Sequence, residues 1–425
     1  MITIIGAGLA GLSAAYHSCS DYLLLEREGS PGGLSKSIEI KGYIFDYAPH
    51  ILFTRDSYVL ELWKDLLKDN MITQRRKAFI YMQETFVEYP FEANLAPLPK
   101  EIIDECIEGV KNRPEFKPQN FEEWILTNFG KGIAQHYMIP YNQKIWKYPL
   151  SKINTDWIAG RVPTPSIEDM KKGANERQEK RFGPNAFFHY PKFGGIGSVA
   201  EKLSEKVNVS YNSEVTNVRI SEKAIETSFK IKGKKKISIS EELLSSLPLP
   251  ELINIIDDVP SNISKAASEL VYNSLVCVNI GVDRPNIIDK HWLYFPEKEL
   301  IFNRISFPMN FSPYTTPEEK SSLLVEVTFR DQIVDEKEVV SNVLKDLLDI
   351  NILDEQDKIE VCDSAVFEYA YVIYDLKHRE NVTAIQKYLI ENNIVPIGRF
   401  GEWEYYNMDK AILSGKDGIK RIKNL

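Results

Sequence analysis

The sequence predicts an α/β protein with a Rossmann-like dinucleotide-binding layer, an inserted and mainly helical part, and a separate antiparallel sheet. Three observations predict it. The chain opens on a short apolar run, Ile2, Ile4 and Ile5, followed by Gly6, Gly8 and Gly11 at the G-x-G-x-x-G spacing and then an Ala-rich helix. A second apolar run, Tyr22–Leu25, ends in Glu26, about 20 residues past the first glycine, where an acid binds a ribose hydroxyl. From Val271 to about Glu368 apolar residues alternate as antiparallel strands do.

Each glycine has a physical reason. Gly6 permits the tight turn, Gly8 lets backbone approach a pyrophosphate, and Gly11 lets helix pack closely on strand. The helix N-terminus offers free N–H groups to phosphates. After Glu26 and Arg27 comes a Pro31-Gly32-Gly33-Leu34 turn, which a nicotinamide-only domain has no reason to carry. Gly42–Thr54 alternates like strands and contains His50. Residues 56–75 read as a helix with Val59, Leu60, Leu62, Trp63, Leu66 and Leu67 on one side. Pro90 keeps Tyr89 extended, so Tyr89 and Phe91 point to one side, as a sandwich for a planar base or as core. Residues 99–113, 121–138 and 197–205 read as helices, and polar 165–182 as a mobile loop or helix.

Val207–Tyr211 and Val215–Ile220 read as strands rejoining the nucleotide layer, and Glu242–Pro248 as strand to turn. Lys232-Gly233 marks a solvated hairpin. The second lobe has strands at Leu275–Val282, Trp292–Phe295, Ile301–Ile305 and Leu323–Phe329, with a helix near 336–348. Ile394 onward reads as strand, glycine turn at Gly398-Arg399, and helix. The nucleotide-binding domain is therefore expected to be discontinuous (1–56, 193–248 and 388–425), with a helical domain at 57–192 and the sheet domain at 249–387.

The 425 residues, 43% hydrophobic and 27% charged, suit large ordinary cores, and a net charge of -9 argues against a nucleic-acid partner. Cys19, Cys106, Cys277 and Cys362 form no C-x-x-C pair, so they read as thiols in a reducing compartment and not as a zinc site. No signal-like or membrane-length apolar run is present, so a cytoplasmic protein is expected.

Several further blocks occur in order through nearly the whole chain: Tyr89-Pro-Phe, Pro140-Tyr-Asn-x-Lys-x-Trp, Gly160-Arg-Val, Gly183-Pro-Asn-Ala, Trp292-Leu-Tyr-Phe-Pro-Glu, Arg304 with Asn310-Phe-Ser-Pro-Tyr, and Gly398-Arg-Phe-Gly-x-Trp-x-Tyr. Together with the glycine turns they resemble the UDP-galactopyranose mutase family, its eukaryotic branch more than its usual bacterial one. Pro49-His50-Ile resembles the bacterial segment lying against the flavin. The resemblance implies a Rossmann-like FAD-binding domain, an inserted helical domain and an antiparallel β-sheet substrate domain. It implies FAD, reduced for activity, and exchange of a sugar between pyranose and furanose rings on a nucleoside diphosphate, in surface polysaccharide synthesis. No net redox occurs; flavin N5 is the nucleophile toward the anomeric carbon.

A leaving diphosphate calls for arginines and hydroxyl donors. By family position Arg161 and Arg304 clamp it, and Tyr294, Tyr371 and Tyr405 donate hydrogen bonds. His50, with the Pro49 carbonyl, sits near flavin N5; Asn142, Trp146 and Asn185 line the substrate pocket. The FAD contacts implied are Gly6, Gly8, Gly11, Glu26, Arg27, Gly32, Gly33, Leu34, Val215, Gly398, Arg399, Asn407 and Met408. Singly, most arginines are surface ion pairs and most tyrosines core-edge packing.

The chain departs from the family at Glu92, where the eukaryotic enzymes carry Gln. A Gln amide both donates and accepts, as uracil requires; a carboxylate only accepts, which suits the adjacent N1–H and amino donors of guanine. The departure points to a GDP-linked sugar, unless Glu92 faces solvent or pairs with a lysine. The turn at Tyr405-Tyr-Asn-Met-Asp is short, and Tyr371 is followed by Val-Ile-Tyr-Asp-Leu in place of a proline-rich run. Both leave the sugar open. The rival reading is an oxidase of the amine-oxidase or protoporphyrinogen-oxidase type, and a third is a non-catalytic nucleotide-sugar binder. Whether NADPH or a separate partner reduces the flavin, and the oligomeric state, are not written in the sequence.

Overall fold

The structure is a computed structural model that describes residues 1–158, 161–176 and 186–422. Its nucleotide layer is a five-stranded parallel sheet with Ile2–Ile5 at the centre, flanked by Tyr22–Leu25 and then Val209–Ser210 on one side and by Glu242–Ser245 and then Ile394–Pro396 on the other. The central strand is buried throughout, which explains its apolar run: a parallel strand is covered on both faces. One cover is the helix Leu9–His17. The C-terminal helix Met408–Ile422 lies against it, so closely that a Cβ on Gly415 would be 2.1 Å from the Ala10 carbonyl. Ser13 Oγ donates to the Ile412 carbonyl at 2.6 Å. The two ends of the chain thus form one unit.

The second lobe is a seven-stranded sheet in the order 359–372, 272–282, 321–329, 304–306, 292–294, 78–82 and 85–88. The hairpin 78–88 joins it through a parallel pairing of Ala78–Ile80 with Trp292–Tyr294. Strand alternation divides its faces. Leu293, Ile305, Val325 and Val278 pack with Val339, Val343 and Leu347 of the helix Glu336–Asp349. The opposite face carries Tyr294, Arg304, Glu326 and Cys277 in one lateral row.

Three expectations are corrected. The helix at 56 ends at Leu67, where Lys68 turns to φ 50°, and Met71–Arg75 is a strand paired with Phe187–Pro191; helical spacing stops at Leu67, and Ile72 and Thr73 are β-branched. The helix at 121 breaks at Gly130, whose φ of 72° and ψ of 177° lie outside the helical region in a conformation glycine adopts readily, and a Cβ there would lie 1.9 Å from the Gly109 carbonyl of the crossing helix Lys100–Lys111. A wide turn at Ala134–Met138 then leads into the helix Ile139–Trp146. Of the strands expected to rejoin the nucleotide layer, only Val209–Ser210 does. Ser213–Ile220 starts a separate three-stranded antiparallel sheet whose Lys232-Gly233 turn has φ 48° and 75°, the positive pair a two-residue hairpin requires. Polar 165–176 holds the helix Ile167–Asn175 with a Ser166/Asp169 capping box; 177–182 lies outside the described residues. No helix among them is long and apolar enough to cross a membrane.

Candidate active site

The first half of the site is backbone. Gly6 has φ 90°, and a Cβ on Gly11 would sit 1.8 Å from the Gly6 carbonyl. At Gly8 an added Cβ would lie in ordinary van der Waals contact, 3.9 Å from the Gly32 carbonyl and 4.0 Å from the Gly33 Cα. Gly32 (φ 115°) donates its N–H to the Ala7 carbonyl at 2.8 Å and bridges Gly8, joining the two glycine turns. Glu26 is 7% exposed, and its carboxylate accepts from the Ala7 and Glu28 amides at 2.6 and 2.9 Å. Ser213 N–H reaches the Glu26 carbonyl at 2.7 Å, which brings the Val215 strand to this edge. Gly33 and Arg27 are exposed and Leu34 half-buried. Across the cradle, Gly398 (φ 78°) accepts no larger residue, since its Cβ would be 2.7 Å from that of Ala10. Asn407 is exposed, and Met408 is buried at the start of the last helix.

The second half is side chains. Tyr371 and Tyr405 stack with centroids 6.1 Å apart at 13°. Trp146 lies edge-on to Tyr371 at 6.0 Å and against Trp157 at 4.9 Å, and its indole N–H donates to Asn142 Oδ1 at 3.1 Å. Arg399 and Arg161 flank the Tyr405 ring, 4.4 and 5.2 Å from its centroid. Both are steered by carbonyls: Arg161 by Trp157 and Tyr405 at 2.5 and 2.7 Å, Arg399 by Tyr406 and Ala370 at 2.7 and 3.1 Å. Arg304 is held bidentately by Glu326, which is 0% exposed, and reaches Tyr371 Oη at 3.4 Å. That buried pair cancels its own charge.

Sequence reasoning missed Arg76. Its guanidinium lies 4.6 Å over Tyr89 and 5.6 Å from the Trp292 ring centroid, and donates to Tyr294 Oη at 3.1 Å, while its Nε is buried without a partner. Arg76 falls just past the helix read over 56–75, and no motif marks it. Among the described residues, Arg76, Arg161 and Arg399 contact rings, carbonyls and a hydroxyl, and no carboxylate. Cations lying on aromatic faces without a carboxylate partner keep N–H donors for an anion.

His50 Nδ1 lies 2.7 Å from the Ala48 carbonyl. Because a carbonyl only accepts, Nδ1 carries the proton and Nε2 a free lone pair. Burial pushes its pKa down to about 4, the Ala48 bond opposing and Arg399 and Arg304 assisting, so the ring is neutral near pH 7. Glu92 does not face solvent and, among the described residues, pairs with no lysine: it is 2% exposed, Oε2 has no partner, and burial raises its pKa to about 7. Phe91 opens a short 3-10 turn and is fully buried, stacked on Tyr137 at 4.8 Å; the extended alternation expected from Tyr89 stops at Pro90. Tyr89 instead meets Tyr294 at 5.8 Å, and Tyr141 also meets Tyr294, edge-on at 5.6 Å. Asn185 lies outside the described residues.

Fold and cradle define a Rossmann-like dinucleotide-binding protein with a second site lined by arginine and tyrosine. A family described as NAD(P)-binding Rossmann-like domain matches residues 4–66. The chain resembles UDP-galactopyranose mutase over its whole length: it is 26% identical to a reduced UDP-galactopyranose mutase of known crystal structure, with a TM-score of 0.93, covering 100% of this chain and 95% of that one. A putative protoporphyrinogen oxidase from Exiguobacterium sp. 255-15 (14% identity, TM-score 0.77, 100% and 98% covered) and a redesigned putrescine oxidase (13%, 0.68, 100% and 99%) share the fold.

Proposed function

We propose that the protein is a flavin-dependent mutase that interconverts the pyranose and furanose forms of a sugar on a nucleoside diphosphate. The observation that carries the reading is the set of arginines without carboxylate partners around stacked tyrosines. A diphosphate fits that set; an amine or a porphyrin does not call for it. The cradle fits FAD: the Gly8 backbone lies against the Gly32-Gly33 turn with no side chain between them, and Glu26 follows at the spacing of a ribose-binding acid. Gly6, Gly8, Gly11, Glu26, Arg27, Gly32, Gly33, Leu34, Val215, Gly398, Arg399, Asn407 and Met408 would hold it. Reduced flavin supplies a nucleophilic N5 toward the anomeric carbon, and NADPH or a separate reductant supplies its electrons.

The chain's own residues do the rest. Arg161, together with Arg76, meets the charge that develops on the leaving diphosphate. Arg304, already balanced by Glu326, contributes geometry and direct N–H donation more than net charge. Tyr294, Tyr371 and Tyr405 donate hydroxyls, and Trp146, Asn142 and Asn185 line the sugar end. Neutral His50 offers Nε2 as an acceptor beside the flavin. Glu92 reads the base edge: ionised, it accepts from two adjacent donors, which favours guanine over uracil.

The test is to reduce the purified protein with dithionite, incubate it with UDP-, GDP- and TDP-sugars, and separate the products by chromatography. Isomerised nucleotide sugar, fastest with a GDP-sugar, is expected. A flavoprotein that isomerises no member and releases hydrogen peroxide with an amine would contradict the reading. Tight binding of UDP with none of GDP would overturn the role of Glu92.

A further inference from the structure

The helix Ile139–Trp146 carries Asn142 and Trp146 to the site, and its last turn carries a lysine that this chemistry does not use. Lys144 is 8% exposed, and its Nζ donates to the carbonyls of Phe295 at 3.2 Å and Glu297 at 2.6 Å. Both belong to the turn that leaves Tyr294 and leads to Arg304. The Lys144 carbonyl accepts from Thr328 Oγ1 at 2.6 Å, two residues beyond Glu326 on the same strand and face. The Ile145 carbonyl accepts from Asn273 Nδ2 at 2.6 Å, and Asn273 Oδ1 accepts from the Tyr371 amide at 3.2 Å. Carbonyls in a last helical turn lack intrahelical partners; here they hold two strands of the site. One helix end therefore fixes the turn after Tyr294, the strand of Glu326 and the strand of Tyr371.

We propose that Lys144 is a positioning residue whose ammonium sets the spacing between Asn142 and Trp146 on one side and Tyr294 and Arg304 on the other, and so tunes the site's fit to a nucleoside diphosphate. This rests on the nucleotide-sugar reading above. Packing does not account for a buried ammonium, because a methionine fills similar volume without desolvating a charge. Burial brings the Lys144 pKa down to about 7; Lys147 acts in the same direction, while Glu297, Asp346 and Glu299 oppose it. The cation is present below that pH and lost above it, so affinity is greatest on the acid side.

Calorimetric binding of a UDP-sugar and a GDP-sugar, whose esterified diphosphates do not ionise near neutrality, tests this, with Glu92→Gln as the parent so that the carboxyl titrating in the same range is absent. From about pH 6 to about pH 8 the parent's affinity is expected to fall. Lys144→Met is expected to bind about tenfold more weakly at the lower pH, with no pH dependence and an unchanged flavin spectrum. A folded Lys144→Met that binds as tightly as its parent, or a parent whose affinity is flat with pH, overturns the proposal while the functional reading stands. If Lys144→Met does not fold, the parent's pH profile decides alone. Binding of neither nucleotide by the unaltered protein overturns the functional reading and this proposal with it.

Discussion

The two halves of the site are built on opposite plans. The cradle is made of backbone: Gly6, Gly8 and Gly11 lie within one strand–turn–helix, and their neighbours are set by steric closeness, as with the 1.8 Å that would separate a Gly11 Cβ from the Gly6 carbonyl. The second half is made of side chains brought from distant segments: strand register sets Tyr294 beside Arg304 and Arg304 beside Glu326, while Arg161 and Arg399 come from other parts of the chain to flank the Tyr405 ring. At Gly6 and Gly11 the backbone site has no room for an added atom, but it asks little of distant segments. A side-chain site tolerates substitution sterically but depends on which charges are paired.

That contrast can be broken most forcefully at the cradle. Gly11→Leu has no room to relax against a backbone carbonyl, and is expected to abolish flavin binding and cost more than about 3 kcal/mol; visible absorbance of the purified protein and its thermal midpoint check both. Next is Arg304→Ala, which strands the Glu326 carboxylate in the interior. It should lower stability by about 3–5 kcal/mol and weaken nucleotide-sugar binding while leaving the bound flavin spectrum unchanged. Arg304→Ala combined with Glu326→Leu should recover stability in denaturant titration but not affinity. Loss of flavin from Arg304→Ala would mean the two halves are not separate.

Arg161→Ala and Arg76→Ala leave no buried carboxylate behind. Each is expected to cost about 1.5–3 kcal/mol in nucleotide affinity with little change in melting temperature, read by calorimetric titration. The smallest effect is at Glu92. Its folded pKa of about 7 stands above the ordinary 4.5, so the folded state binds more protons than the unfolded state between those values, and stability falls as pH rises through that window. Glu92→Gln removes this loss: its melting temperature should exceed the parent's above pH 7 and match it at the acid end. Preference for GDP over UDP should grow as pH rises through about 7 in the unaltered protein and vanish in Glu92→Gln.

The same contrast explains what could be read from the sequence. The cradle was legible because its determinants are consecutive: an apolar strand, spaced glycines and an acid. The blocks holding Arg161, Tyr294, Arg304 and Arg399 were legible only through resemblance. Arg76 was not, because its meaning comes from the parallel pairing of Ala78–Ile80 with Trp292–Tyr294, a contact that no local pattern encodes. Met71–Arg75 fell inside the helix read over 56–75, although the apolar positions that carried that reading stop at Leu67, where Lys68 ends the helix. Glu92 was visible as an unusual residue; its burial, which turns it into a titrating group near neutrality, depends on the turn at Phe91–Ala93.

The central claim is that bound flavin acts in this protein without net transfer of electrons. The most direct measurement is anaerobic: reduce the flavin with one equivalent of dithionite, remove the excess, add a GDP- or UDP-sugar in large excess, and count product against flavin. The account predicts many molecules of ring-isomerised nucleotide sugar per flavin, with the flavin still reduced at the end. Product limited to one per flavin, or flavin oxidised in step with product, would contradict it.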